Sequence, residues 1–517
     1  MVNNSQVFQL MIQGTASNVG KSIITTALCR IFARRGFRTY PFKSWNMALN
    51  SAITAEGGEI GIAQIIQAEA AGVEPRAAMQ PLLLKPNGDG TSQIVAEGSP
   101  VAREYFEQES LDYKKWAMQI IKKSLKKIRS EADIVIIEGA GSPAEVNIKE
   151  NDLANMSVAR LYNTPVLLVA DIDRGGALAS LVGTVRLLPE AEKNLIEGFI
   201  INRFRGDRAL LEPALEFLEN YTGIPVLAVL PYIKNIKLPE EDSVSLDNKS
   251  GGNKKSLIKI AVIKLPHISN FTDFDSLELE PDVELNYISD VSELSTDHDL
   301  LIIPGTKQTI PDLLFLKKSG FEAKIKELAK NDFPIIGICG GYQMMGKNLI
   351  NPHKTEGNIK EMTGLDILAI ETVFLPGKTT HQVEAEITGN GELIKDLKGN
   401  KVKGYEIHMG KTVYLEETEI PFKLFKRSKE EINFNDGAMS NNGLIFGTYL
   451  HGLFNNDAFR RNIINILRRK KGLKTFEEGP YSYQNKIKAD FDKLADIVEG
   501  ALDIDYLIND ILKREEE

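Results

Sequence analysis

Two short stretches of this 517-residue chain carry side chains whose spacing suits chemistry. The first, GTASNVGKS (residues 14–22), follows an apolar run and opens a stretch with apolar residues at helical spacing: Ile23, Ile24, Ala27, Leu28 and Ile31. A glycine-rich turn between strand and helix turns backbone N–H groups toward phosphate oxygens, and the helix N-terminus adds favourable dipole charge. Gly14, Thr15, Ser17, Asn18, Val19, Gly20, Lys21 and Ser22 are therefore the expected ATP-binding set, with Lys21 on the terminal phosphates and the Ser22 hydroxyl on Mg²⁺. The second, GICGG (residues 337–341), sets a cysteine between an apolar strand and a helix. Flanking glycines permit the sharp turn of a nucleophile elbow, and the positive end of the following helix favours a thiolate.

Other residues fall into place around these two. The run DIVIIEGAGS (133–142) is a buried strand ending in Glu138, where a parallel sheet offers ligands to Mg²⁺ or substrate; capping the next helix is the plainer role. VLLVADIDRGG (166–176) repeats that layout with Asp171 and Asp173, and Asn202 in IINRFRGD can both donate to and accept from an adenine edge. For the cysteine site, the amide of Gly340 and that of Gly305, in LIIPGTKQT, are the expected oxyanion donors. An attacking thiolate needs a general acid for the departing ammonia. His451 in FGTYLHGLF sits at a strand end between glycine-bearing turns, and His408 in GYEIHMG has a similar setting.

The elements that must position these groups read as alternating strands and helices, which argues for parallel sheets covered on both faces. Strands are expected at 7–12, 134–137, 166–169, 198–201 and 226–229, then at 258–263, 300–303 and 334–338. Helices are expected at 21–35, 113–129, 320–330 and 342–349. Between the two series, residues 234–256 are polar and without apolar periodicity, as a linker would be. The parse is a P-loop parallel-sheet domain at 1–233, that linker, an α/β domain at 257–460 and a helical tail at 461–517.

Composition narrows the function classes. Hydrophobic residues make up 43% and charged residues 26%, the balance of a soluble globular protein. A formal net charge of -9 offers no domain-wide basic surface for nucleic acid, and Lys122 to Lys127 read as the solvated face of a helix. Two cysteines, Cys29 and Cys339, make no disulfide framework and fit a reducing cytoplasm. The N-terminal residues lack a basic n-region and read as a strand, and no run has the ~18 apolar residues of a membrane span. Small molecules are the expected partners, with no nucleic acid and no membrane; a homo-oligomer is compatible with all of this.

Gly14 and Gly20 enclose five residues where the common P-loop has four, so the loop resembles the dethiobiotin-synthetase-like branch. Along nearly its whole length the chain resembles the cobyric acid synthase family of cobalamin biosynthesis. The resemblance rests on GTASNVGKS, PFKSWNMALNS, GGEIGIAQIIQAEAAGVEP, MQPLLLKPNGDGTSQI, EGAGSPAEVN, DIDRGG, NRFRGD, PGTK, GICGGYQMMG, GYEIHMG and GTYLHG, in that order. It implies a dethiobiotin-synthetase-like ATP domain followed by a class I glutamine amidotransferase domain. It also implies that Cys339 releases ammonia from glutamine with His451 as its partner. ATP would phosphorylate corrin carboxylates, and ammonia would displace the phosphate at four positions, b, d, e and g, of adenosylcobyrinic acid a,c-diamide. The wider amidotransferase pattern His-Pro-Glu is replaced here by His451-Gly452-Leu453, which leaves the group that orients His451 open. Lys43, Asn46, Asn50, Lys85 and Asn87 suit a large anionic substrate, although each also reads as an ordinary surface or turn residue. The nearest alternative is the same chemistry on another substrate, as in cobyrinic acid a,c-diamide synthase. Others are a nucleotide switch resembling the partitioning ATPases, and a glutamine sensor with an inactive ATP site; an intact cysteine elbow and an intact Lys21–Ser22 pair speak against them in turn.

Overall fold

The computed structural model describes residues 7–86, 92–101, 111–147, 149–234, 236–239, 241, 256–476 and 482–513. Most of the expected linker, and Asn87, lie outside them.

The first sheet has six parallel strands in the order Thr39–Phe42, Ile134–Glu138, Phe8–Gly14, Val166–Asp171, Ile196–Phe204, Val226–Pro231. Runs such as IVIIE and VLLVAD are buried at every position because helices cover both faces of the sheet. The first strand pairs with Ile134–Glu138 on one side and Val166–Asp171 on the other, so the strand order reverses at Gly14. A crevice opens at the carboxyl end of such a reversal.

The second sheet runs Val283–Ile288, Ile258–Ile263, Leu300–Ile303, Ile335–Ile338, Ile445–Thr448, Ala438–Met439, parallel except at its last pair. Three neighbouring strands therefore end side by side, just before Gly305, Cys339 and His451. A third, largely antiparallel sheet spans residues 348–436 around the long pair Ile370–Ile387 and Lys401–Tyr414.

Two expectations need correction. The helix expected over 342–349 is Gly340–Met344 and is followed by the strand Asn348–Ile350. At Gly346 an added Cβ would lie 2.8 Å from the Ile370 carbonyl, and Lys347 N–H bonds that carbonyl at 2.7 Å, so the chain leaves the helix to pair with the third sheet. The stretch read as a tail is a pair of packed elements. Asp457–Lys470 lies on the second domain, and Tyr483–Glu499 folds back onto the first domain's helix Lys21–Arg34. Ile487, Phe491, Leu494, Ala495 and Val498 recur at helical spacing and are all buried in the same core as Leu10 and Ile12. Beside this stripe Arg30 pairs with Asp492 at 2.8 Å, Arg34 with Asp496 at 2.6 Å and Arg35 with Glu499 at 2.9 Å. Such half-exposed pairs contribute about 0.2–1 kcal/mol each, so the apolar stripe dominates. The lysines at 122, 123, 126 and 127 are exposed on Leu111–Arg129.

Candidate functional sites

At the first sheet's reversal the loop 15–20 wraps the strand end. Gly20 has φ 106°, and a side chain there would run into the Asn202 amide, so glycine is required on both counts. The Asn202 Nδ2 donates to the Val19 carbonyl at 2.8 Å, and its Oδ1 accepts from Arg203 N–H at 2.9 Å. One N–H and one lone pair of that amide are thus taken by backbone, and Asn202 braces the loop; the second N–H and second lone pair are what an adenine edge would use.

Lys21 curls over the loop, donating to the carbonyls of Ala16 at 2.9 Å and Gly141 at 3.1 Å. Burial, reinforced by Lys43, lowers its pKa to about 8 against the pull of Glu138. Ser22 Oγ donates to Glu138 Oε1 at 2.9 Å, Lys43 Nζ to the same oxygen at 2.8 Å, and Gln67 Nε2 to Oε2 at 2.5 Å. Glu138 is fully buried; burial opposes its charge, but Lys43 and the three hydrogen bonds outweigh it and hold the carboxylate ionised. Lys43 is likewise held charged despite burial, by Glu138 and Glu241. Asn46 donates to the Glu241 carboxylate, which lies 3.4 Å from Lys43 Nζ. The expected pair Ser22 and Glu138 is therefore together, with two hard oxygens side by side. Among the described residues no three His, Cys, Asp or Glu side chains form a metal cage. A site of one carboxylate and one hydroxyl fits Mg²⁺, which takes few protein ligands and fills its octahedron with phosphate and water.

Asp171 and Asp173, on the same rim, face Arg203 at 2.7 Å and Arg205 at 2.8 Å. Asn50 and Lys85 are elsewhere. Lys85 is buried on Glu59 at 2.6 Å and Ser51 Oγ at 2.8 Å, and Asn50 faces the second domain. Neither lines the phosphate loop.

At the second site Cys339 holds φ 51° and ψ −109°, a strained turn between Ile335–Ile338 and Gly340–Met344 that costs about 1–3 kcal/mol. The glycines make it feasible: a Cβ at 340 would lie 2.7 Å from Thr306 Cγ2, and one at 341 would collide with the Ile303 carbonyl. The Cys339 Sγ lies 3.5 Å from the Ile407 carbonyl. A Cβ on Gly305 would lie 3.0 Å from His451 Cε1 and 3.8 Å from Cys339 Cβ, so both side chains converge on the Gly305 turn. That turn is braced beneath by Asp312, which accepts from Thr306 Oγ1 at 2.5 Å and pairs with His267 at 2.7 Å.

The group that orients His451 is Asp273, which sequence reasoning missed. Its Oδ2 lies 2.6 Å from His451 Nδ1 and its Oδ1 accepts from Gly452 N–H at 2.8 Å. Nε2 is buried without a nitrogen or oxygen partner among the described residues and is directed at Cys339. Burial favours the neutral ring, but Asp273 and Cys339 prevail and raise His451 to about 10. Tyr405 stacks on the ring, with centroids 5.1 Å apart. Asp273 stands 178 residues before His451, in a turn of 3₁₀ helix (Phe271–Phe274) beyond the carboxyl end of Ile258–Ile263. The strand-end signal that pointed to Glu138 does not reach it, because Glu138 closes its own strand whereas Asp273 lies in a separate turn well past the end of Ile258–Ile263. His408 stacks on Tyr449, at 3.7 Å between centroids, with Glu406 3.7 Å from its Nε2; burial lowers its pKa. Cys29 is buried in Lys21–Arg34, which raises its thiol pKa.

Sequence comparison places a known domain over each of the two sites. Residues 10–246 match the CobQ/CobB/MinD/ParA nucleotide binding domain, and residues 259–459 match the CobB/CobQ-like glutamine amidotransferase domain. The cobyric acid synthase of Moorella thermoacetica is 49% identical over 503 residues, 96% of each chain. That of Pelotomaculum thermopropionicum is 48% identical over 96% of this chain and 95% of its own. That of Dehalococcoides mccartyi strain 195 is 45% identical over 98% and 99%. No helix among the described residues is long and apolar enough to cross a membrane. With both domains matched and relatives aligned end to end, this chain belongs to the cobyric acid synthase family, ligases of cobalamin biosynthesis that carry a glutamine amidotransferase domain.

Proposed function

We propose that this enzyme amidates the b, d, e and g carboxylates of adenosylcobyrinic acid a,c-diamide to give adenosylcobyric acid, using glutamine and ATP. The observation that carries the reading is the buried Cys339–His451–Asp273 set in the same chain as the Lys21–Ser22–Glu138 cradle. A thiolate at Cys339 adds to the glutamine side-chain amide. The amides of Gly305 and Gly340 face the developing oxyanion, and the C–N bond breaks as the His451 imidazolium gives its proton to departing ammonia. Water then cleaves the thioester to glutamate.

In the first domain the loop 14–22 holds the ATP phosphates, with Lys21 freed from Ala16 and Gly141 to meet them. Mg²⁺ would be held by Ser22, Glu138 and phosphate oxygens, and would offset charge on the transferred phosphoryl group. A corrin carboxylate oxygen takes the terminal phosphoryl group of ATP as ADP leaves, and ammonia then attacks the acyl carbon and expels phosphate to leave the amide. Lys43 and Asn46, now satisfied by the Glu241 carboxylate, are the groups suited to the incoming substrate carboxylate.

The test follows corrinoid mass with ATP–Mg²⁺ and either glutamine or ammonia. Wild type should gain four amides from either source, and Cys339→Ala only from ammonia. A corrinoid that gains no mass while glutamine is still hydrolysed would remove the substrate assignment and leave the glutaminase.

A further inference from the structure

The domains meet where the hairpin of Ser51–Ile53 and Glu59–Gly61 lies against the long strands Ile370–Ile387 and Lys401–Tyr414. Its rim is held by Lys378 on Glu59 at 2.5 Å, Gln382 on the Ile53 carbonyl at 2.9 Å and Thr380 on the Gly57 carbonyl at 3.0 Å. At its buried centre two asparagines exchange bonds. Asn50 Oδ1 accepts from Phe271 N–H at 3.2 Å, and Asn270 Oδ1 accepts from Ser51 N–H at 3.4 Å. Each side chain takes the amide that follows the other in sequence.

This exchange has a consequence for the glutaminase. Phe271 is the first residue of the 3₁₀ turn that carries Asp273. The residue at the capping position, Asn270, does not cap its own turn; its φ of 54° sends the side chain across the domain boundary instead. Asn50 in the other domain instead accepts from Phe271 N–H, a first-turn amide that has no partner within its own helix. Asn270 Nδ2 also donates to Tyr405 Oη at 3.1 Å, and Tyr405 is the ring stacked on His451. Both supports of His451 are therefore tied to the hairpin. On the other side the Asn50 carbonyl accepts from Ile62 N–H at 3.3 Å, at the start of Ile62–Ala71, whose Gln67 bonds Glu138 in the phosphate site.

We infer that Asn50 and Asn270 form a clasp between the domains that positions Asp273 and Tyr405 on His451, so that glutamine hydrolysis answers to the state of the first domain. Both are positioning residues: neither touches the thiol. The inference rests on Cys339 and His451 being the glutaminase pair.

The full-length Asn270→Gly variant tests it, because glycine keeps the positive φ and removes both side-chain bonds. Four rates are read: glutamine hydrolysis alone, the same with ATP–Mg²⁺ and corrinoid, and amidation driven by glutamine or by ammonia. The clasp predicts a loss of about tenfold in stimulated hydrolysis and in glutamine-driven amidation. Ammonia-driven amidation should stay within about twofold, and the alkaline limb of the hydrolysis profile should move to lower pH as His451 loosens. Equal losses with glutamine and ammonia, or unchanged stimulation, would overturn it. Tyr405→Phe cuts only the Asn270 Nδ2 bond and keeps the stacked ring. It should show the same selective loss to a smaller degree, and it decides the matter if Asn270→Gly does not fold. Wild type that hydrolyses no glutamine would bring down the functional reading and the clasp together. Normal hydrolysis by wild type with an unaffected Asn270→Gly would remove the clasp alone.

Discussion

Replacing Asp273 by asparagine changes one atom and should cost most of the glutaminase rate. The carboxylate accepts twice, from His451 Nδ1 at 2.6 Å and from Gly452 N–H at 2.8 Å. In the variant, Asn Oδ1 keeps the Gly452 bond and the NH₂ group faces Nδ1. That donor forces Nδ1 to accept, so the neutral ring carries its proton on Nε2, toward Cys339, and cannot take the thiol proton. The magnitude follows from the environment. Against burial, Asp273 and Cys339 raise His451 from 6.5 to about 10, a preference for imidazolium of roughly 5 kcal/mol. Asp273 is the larger of the two favourable causes, so the substitution takes away a substantial part of that preference; a loss of about 2–3 kcal/mol would slow the reaction ~30- to 160-fold, and the wrong tautomer adds to that. The assay is glutamine hydrolysis across pH, with ammonia-driven amidation as the control for folding. Wild-type His451 keeps its proton until pH approaches 10, so its general-acid limb should fall only there; in Asp273→Asn that limb should move toward neutrality. A variant within about threefold of wild type at its optimum, with an unmoved limb, would refute the assignment of Asp273.

Two further outcomes come from the first domain. Lys21, lowered to about 8 by burial beside Lys43, is largely neutral in the empty site at pH 9, and triphosphate should restore its charge. ATP binding at that pH should therefore take up close to one proton, seen as buffer-dependent heat in calorimetry, and Lys21→Met should abolish the uptake. Leu494→Ala, in the helix that returns to the first domain, empties a fully buried position and should destabilise the protein by about 2–5 kcal/mol in denaturant titration. Unstimulated glutamine hydrolysis in that variant should outlast ATP-dependent amidation on heating, while its stimulation by ATP and corrinoid is lost together with the first domain.

What was legible in the sequence is what is local in sequence. GTASNVGKS and GICGG each contain the strand end, the turn residues and the chemistry within ten positions, and central strands such as Ile134–Glu138 and Ile335–Ile338 announce themselves as apolar runs, whereas the edge strands Thr39–Phe42 and Val283–Ile288 do not. Asp273 was not legible, because its meaning comes from a partner 178 residues away. The third sheet was missed for another reason. The strand IETVFLPGKTTHQVEAEI alternates only in part and is studded with polar residues, since one stretch of it faces the other domain instead of solvent. Lys85 and Asn50 looked like surface residues and are buried: Lys85 is satisfied by Glu59 and Ser51 of its own domain, 26 and 34 residues away, and Asn50 by Phe271 of the other domain.

The returning helix Tyr483–Glu499 has a consequence for how the molecule is made. During synthesis the N-terminal sheet emerges first, yet the face of Lys21–Arg34 that this helix covers stays bare until nearly the whole glutaminase has left the ribosome. The helix that begins with Lys21 and Ser22 therefore receives its last packing only when the ammonia-producing half already exists. A nascent chain cannot complete the core behind its ATP-site helix ahead of its nitrogen source.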